Sequence, residues 1–238
     1  MAKKTVLITG ASKGIGLALS HTLNQSDYKV VGIARHELPF PGELITLDLS
    51  DINKTREVFA QLNQRYTFDA IVNNVGLVKP QYLDEVGVTD LQEVMNLNLI
   101  PALLAVQAAL PAMRSQQWGR IINISSLTVL GVQQRTAYAA AKAALISFTR
   151  SWALELAQSG ITVNAIAPGP TETELFRENN PHGSTAEAKY MSMVPMKRFA
   201  QPEEIASGIE FLLSDKAGFI TGQTLFIDGG ASIGKMMI

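Results

Sequence analysis

Short runs of β-branched and apolar residues alternate along this chain with longer stretches whose apolar positions recur every three or four residues. Thr5-Val6-Leu7-Ile8-Thr9 reads as a buried strand and Ile15 to Asn24 as a helix. Lys29 to Ala34 and Leu44 to Leu47 read as the second and third strands, with a helix from Ile52 to Asn63. Phe68 to Val72 is the fourth strand and about Leu91 to Arg114 a long helix. Arg120 to Ile124 is the fifth strand, followed by an alanine-rich helix around Tyr138. Ile161 to Ile166, a helix from Glu203 to Ser214, and Thr224 to Ile227 complete the series. Strands that are apolar throughout, set between amphipathic helices, predict a parallel sheet covered on both faces. Right-handed crossovers then give an α/β, doubly wound, seven-stranded Rossmann-type fold. No linker or repeat interrupts residues 1–238, so one domain is expected. Glu172 to Pro195 breaks the rhythm: it is polar, holds Pro181 and Gly183, and reads as a mobile excursion that caps the site as a lid.

Composition narrows the chemistry. Lys and Arg number 20 against 21 Asp and Glu, which argues against a nucleic-acid or anionic-membrane partner held by net charge. The chain has no cysteine, which excludes disulfides, thiolate nucleophiles and cysteine-ligated zinc. His21, His36 and His182 are scattered, so no metal site is expected. The basic start Met1-Ala2-Lys3-Lys4 is followed only by the short run Thr5 to Thr9, too short for a secretory apolar segment. Apolar runs elsewhere read as shorter than a membrane span, and a cytoplasmic location is expected.

Two motifs carry the candidate chemistry. Thr9-Gly10-Ala11-Ser12-Lys13-Gly14-Ile15-Gly16 joins the first strand to the first helix. Glycines there allow a tight turn and close backbone approach, and the helix start offers free N–H groups and a positive dipole end to a pyrophosphate. A glycine turn serving packing alone is the plain alternative. The second motif is Tyr138 with Lys142, four residues apart and therefore on one helix face. An ammonium beside a phenol favours the phenolate, so a lowered Tyr138 pKa is expected. A surface contact between the two side chains is the plain alternative.

The spacing Gly-x-x-x-Gly-x-Gly, with Asn73-Asn74-Val75-Gly76, Asn98, Ser126, Tyr138, Lys142, Pro168-Gly169 and Asp228-Gly229-Gly230, resembles the classical short-chain dehydrogenase/reductase family over nearly the whole chain. That resemblance implies a catalytic set of Asn98, Ser126, Tyr138 and Lys142. Tyr138 would be the general acid/base and Ser126 would polarise the substrate oxygen. Lys142 would bond the nicotinamide ribose, and Asn98 would hold a water in a proton relay. It also implies cofactor contacts from Gly10, Ser12, Lys13, Gly14, Ile15 and Gly16. Asp48 and Leu49 would meet the adenine, and Asn74, Val75 and Gly76 the adenine and ribose side. Pro168, Gly169, Thr171 and Thr173 would meet the nicotinamide carboxamide. Val75 stands where the family usually has alanine. The second strand ends in Ala34-Arg35 with no carboxylate before Glu37, and Lys13 lies in the glycine loop. Two cations and no acid favour NADP(H) over NAD(H).

Substrate choice stays open at this level. A 3-oxoacyl-carrier-protein reductase is one reading, with Arg114 and Arg120 left to dock an acidic carrier. A general carbonyl reductase or an alcohol or dihydrodiol dehydrogenase is a second: the His36 to Glu43 connection is too short for a helix, and this trimmed form is similar to some dihydrodiol and small-alcohol dehydrogenases of the family. A redox-inactive NADP-binding regulator is a third. Phe176, His182, Tyr190, Met191 and Met193 are the expected substrate-pocket residues of the lid. Leu103, Ala108, Leu110, Ala143, Phe148 and Trp152 make two helices apolar on more than one face, and with the resemblance they imply a homotetramer.

Overall fold

The computed structural model describes residues 3–26 and 28–234; Met1 and Ala2 of the basic start lie outside them. Seven strands, β1 (Lys4–Thr9), β2 (Tyr28–Ala34), β3 (Glu43–Thr46), β4 (Ala70–Asn73), β5 (Gly119–Ile124), β6 (Ile161–Pro168) and β7 (Thr224–Ile227), form one parallel sheet in the order β3-β2-β1-β4-β5-β6-β7. The chain crosses from β3 back to β4, beside β1. That reversal leaves a crevice at the carboxyl ends of β1 and β4, where open α/β sheets bind ligands.

Side-chain alternation explains why these strands are apolar throughout. Val6, Ile8, Val72, Ile122 and Ile166 enter one core layer, beneath α1 (Gly14–Gln25) and α7 (Pro202–Leu213), with Leu19, Leu23, Ile205 and Ile209. Leu7, Val31, Ile71, Ile121 and Val163 point the other way. They meet Phe59 and Leu62 of α2 (Ile52–Arg65), Val106 and Met113 of α3 (Val88–Gln116), and Leu156 of α4 (Thr136–Leu156). Period-two geometry on a sheet covered twice leaves no polar face.

Helix α3 is long and apolar enough to cross a membrane, which corrects the expectation that no run reaches that length. It is a core helix here: Val94, Asn98, Ala102, Ala105, Val106, Ala109 and Met113 are buried against the sheet and its neighbours. Residues 35–42 connect β2 to β3 without a helix, as their prolines require. Phe40 packs on Gly32, where an added Cβ would stand 2.5 Å from its ring.

Residues 172–195 leave the sheet, as expected, and hold two helices that the sequence reading did not assign. They form α5 (Glu174–Asn179) and α6 (Thr185–Met193). Thr173 and Ser184 cap them by accepting from the Phe176 and Glu187 N–H groups, both at 3.1 Å. Arg177 ties the two helices together through Glu172 and Glu187, and its guanidinium lies over the Phe176 and Phe199 rings. The ion pairs link residues up to ten positions apart, so the strand-and-helix periodicity carries no sign of them.

Candidate active site

A cleft of about 760 Å³ opens at the carboxyl ends of the strands and runs from the β1–α1 turn to α5 and α6. Gly10, Ser12, Lys13, Gly14 and Ile15 line one end. Gly10 and Gly14 have φ of 64° and 50°, left-handed backbone that glycine adopts without strain. No side chain caps α1, and no acidic residue stands in its first turn, so its N–H groups face the cleft end of the loop unclaimed by side chains. Asn74 holds the loop from below. Its Nδ2 donates to the carbonyls of Thr9 and Gly10 at 3.1 and 2.9 Å. Its amide is therefore spent on the loop, although Asn74 also lines the cleft with Val75 and Gly76.

Gly16 is buried beneath the loop and does not line the cleft. A Cβ there would sit 2.3 Å from the Gly10 carbonyl oxygen and 2.7 Å from Asn74 Nδ2. Relieving that overlap means moving backbone, so Gly16→Ala is expected to cost about 1–3 kcal/mol. Thermal denaturation should show a melting temperature lower by several degrees, and an unchanged value would mean that the loop yields freely.

Arg35 and Lys13 are exposed at the cleft rim, with Asp48 and Leu49 nearby. Asp48 Oδ1 accepts from Ser50 N and Oγ at 2.9 and 2.8 Å; these bonds, more than the Arg35 and His36 charges, hold its carboxyl below its usual range. Glu37 is not among the cleft residues.

Ser126, Tyr138 and Lys142 share the opposite wall. Ser126 follows β5 and caps a short 3-10 turn by accepting from Thr128 N at 3.2 Å. Ser125 instead donates to the Lys142 carbonyl at 2.9 Å and is structural. Lys142 is only 2% exposed, and its Nζ donates to the Ile124 carbonyl at 2.9 Å and lies 5.5 Å from the Tyr138 ring centre. Asn98 stands behind this wall and does not line the cleft. Its Nδ2 donates to Val94 and Leu77 carbonyls at 2.7 and 3.1 Å, while its buried Oδ1 has no hydrogen-bond partner. A Cβ on Gly76 would lie 3.3 Å from that Oδ1 and 3.4 Å from Lys142 Nζ, so a larger residue would crowd both groups.

Protonation in this wall corrects the expected lowering of Tyr138. Burial pushes its phenol up to about 12, against the Ser126 hydrogen bond and the Arg135 charge, which both pull it down. Lys142 is not among the groups that shift it. Burial drives the Lys142 ammonium down to about 7, so the lysine is a weakened cation at neutral pH. Four-residue spacing identifies the pair but carries no information about desolvation.

Pro168, Gly169, Thr171 and Thr173 line the cleft floor between the two ends. The Thr173 hydroxyl caps α5, and its methyl packs on Gly14; the Thr171 hydroxyl donates to the Gly169 carbonyl at 3.0 Å. Among the expected pocket residues of 172–195, Phe176, Tyr190 and Met193 line the cleft, but His182 and Met191 do not. His182 is exposed, 3.5 Å from Glu187. Arg120, expected as a docking cation, is buried under the Trp118 ring and 3.8 Å from Asp215.

Sequence reading gave no role to several contributors. Asn73 donates to Asn123 at 2.8 Å and Asn123 to Thr149 at 2.9 Å, a buried chain that ties β4 and β5 to α4. Thr128 and Arg135 line the cleft beside Ser126 and Tyr138. Arg135 stands three residues before Tyr138, and that proximity was the one signal available.

Comparison with known proteins agrees with this geometry. The family model for Enoyl-(Acyl carrier protein) reductase matches residues 10–232. The chain is 36% identical over 238 residues to the 3-oxoacyl-(acyl-carrier-protein) reductase FabG of Vibrio harveyi, covering 95% of this chain and 96% of that protein. It superposes on ElxO with NADP bound at a TM-score of 0.89 and 32% identity, covering 98% and 100% of the two chains. It superposes on YwfH, an NADPH dependent reductase involved in Bacilysin biosynthesis, at 0.88 and 27% identity, covering 99% and 100%.

Proposed function

Because the chain belongs to the short-chain dehydrogenase/reductase family and is an NAD(P)-dependent oxidoreductase, we propose that it uses NADPH to reduce a ketone to a secondary alcohol. The observation that carries this reading is the shared wall of Ser126, Tyr138 and Lys142 in a cleft whose far end is the glycine loop. The cleft fits a dinucleotide: Gly10 and Gly14 are left-handed, the α1 terminus is uncapped, and Arg35 and Lys13 offer guanidinium and ammonium donors at the rim. NADPH, when bound, would supply the hydride.

The remaining work belongs to side chains. Negative charge grows on the substrate oxygen as the carbonyl is reduced, and Ser126 and Tyr138 each donate a hydrogen bond to it. Tyr138 then transfers its proton to that oxygen. A phenol held near 12 is protonated at neutral pH, which suits donation and therefore reduction. Lys142 and the free Asn98 Oδ1 flank Gly76 and would return a proton through an ordered water. Residues 172–195 close the substrate end as a lid, with Phe176, Tyr190 and Met193 facing inward.

The closest fit among substrates is a 3-oxoacyl thioester or a similar ketone, in line with the FabG similarity. A general small-molecule carbonyl reductase is the second reading, favoured by the loss of Arg120 to the Trp118–Asp215 cluster. Loss of nicotinamide absorbance with acetoacetyl thioesters, free ketones and vicinal diols separates the two. No turnover with any of them would leave a redox-inactive NADP-binding regulator. The stacked Phe148–Trp152 pair, 4.9 Å apart, and the exposed Leu154 on α4 support self-association into a tetramer.

Arg35→Asp should weaken NADPH binding by about tenfold to a hundredfold, because a charge-assisted bond becomes a repulsion. NADH binding should improve in parallel in a fluorescence titration. Tight NADH and weak NADPH binding by the wild-type protein would refute the assignment.

A further inference from the structure

Arg135 is a buried guanidinium with no acid beside it. Only 8% of its surface is exposed, and that surface lines the cleft. Its one side-chain hydrogen bond among the described residues runs from Nη1 to the Gln134 carbonyl, at 3.1 Å. No carboxylate among the described residues lies within ion-pairing distance. A guanidinium offers five donors in a fixed fork, so most of its donor capacity has no protein partner. Those free donors are not among the sealed, unpartnered atoms of the described residues, so they open onto the cleft, where an anionic group of a ligand can reach them.

The surroundings are set up for an anion at the substrate end. Arg135 precedes α4, whose N-terminus has no side-chain cap and no acidic residue in its first turn. Its charge reaches the Tyr138 hydroxyl, which it helps to acidify. Thr128 Oγ1, also in the cleft wall, is buried without a partner. Lys189 of α6 donates to Gln133 at 2.8 Å, adding a second cation near this wall. The carboxylates that line the cleft, Asp48, Glu174 and Glu178, come from other segments. Asp48 follows β3, and Glu174 lies 3.7 Å from the position of a Gly14 Cβ, at the glycine-loop end.

We infer that Arg135 anchors a carboxylate of the substrate, so that the compound reduced is an oxo acid whose ketone lies at Ser126 and Tyr138. The inference rests on the reductase reading of the same cleft and, among the ketones that reading allows, selects a free oxo acid over the thioester. A carboxylate matches the guanidinium fork with two parallel hydrogen bonds, whereas an ester offers no negative charge.

The test compares 2-, 3- and 4-oxo acids with their methyl esters. With NADPH, the wild-type protein should favour the best acid over its ester by about tenfold to a hundredfold in kcat/KM. Arg135→Gln should bring that ratio close to one, and Arg135→Lys should restore part of it. Calorimetry on the NADP-loaded protein provides a readout that needs no turnover: the acid should bind at least about tenfold more tightly than the ester, and only while residue 135 is basic. Equal use of acid and ester by the wild type, or a ratio that survives Arg135→Gln, overturns the inference. Acids that bind through Arg135 but are never reduced uphold the anion site and sink the reductase reading. Turnover of neutral ketones and acetoacetyl thioesters with no acid preference does the opposite.

Discussion

Tyr138→Phe is expected to lower kcat/KM for ketone reduction by about a thousandfold while leaving NADPH affinity within a few-fold of wild type. General acid catalysis contributes about 10²- to 10⁴-fold. The substitution removes only the hydroxyl: the ring stays, and its core contacts with Val94, Ala137 and Ala141 are retained. In the proposed mechanism the hydroxyl is one of two donors to the developing oxyanion, and Lys142 and Asn98 stand behind Gly76 as its proposed source of a returning proton. Stopped-flow reduction and a parallel NADPH titration separate chemistry from binding. A loss below about tenfold, or an equal loss of cofactor affinity, would remove Tyr138 from the role of proton donor.

Lys142→Met is expected to flatten the dependence of stability on pH. The lysine titrates near 7 in the folded chain and near 10.5 when unfolded. Below pH 7 both states carry the proton, and the folded state bears the full cost of a buried ammonium. Between about 7 and 10.5 the folded chain sheds a proton that the unfolded chain keeps, so stability rises with pH, by an amount of the order of a few kcal/mol. Tyr138 acts in the opposite sense. Its folded pKa near 12 lies above the unfolded 10.0, so the stability it contributes is present below pH 10 and lost as pH climbs through 12. Denaturant melts of the cofactor-free protein should therefore strengthen from pH 7 to 10 and weaken beyond it. In Lys142→Met the first limb should vanish and the second remain. A wild-type profile that is level from pH 7 to 10 would show that the lysine stays charged in the fold.

Most of the architecture was legible because its signals are local. All seven strands were readable from apolar runs such as Val6-Leu7-Ile8 and Ile121-Ile122, since a doubly covered sheet has no polar face. Boundaries moved where long-range partners decide them. β4 begins at Ala70, two residues after the expected start, while Asp69 bonds the Thr5 amide at 2.7 Å. The helices within 172–195 were not legible because α5 and α6 are short and held by Arg177, not by an apolar stripe. In the cleft, the glycine loop and the Ser126, Tyr138 and Lys142 wall were readable from spacing, but the placing of Arg120 and Arg135 was not. Arg120 was expected outside and is sealed beneath Trp118; Arg135 drew no notice and is in the cleft.

What the sequence determined alone is whatever depends on neighbours along the chain: strand and helix periodicity, the glycine spacing that opens α1, and the i,i+4 placing of Tyr138 and Lys142. Tertiary structure alone decided burial and field, because both are sums over residues brought together from distant positions. The cost of removing an ammonium from water sets Lys142 near 7, and the segments around Arg135 leave it in the cleft wall with no counter-charge among the described residues. The candidate chemistry was thus written in the order of the residues, while the protonation that tunes it and the burial of Arg135 came from packing.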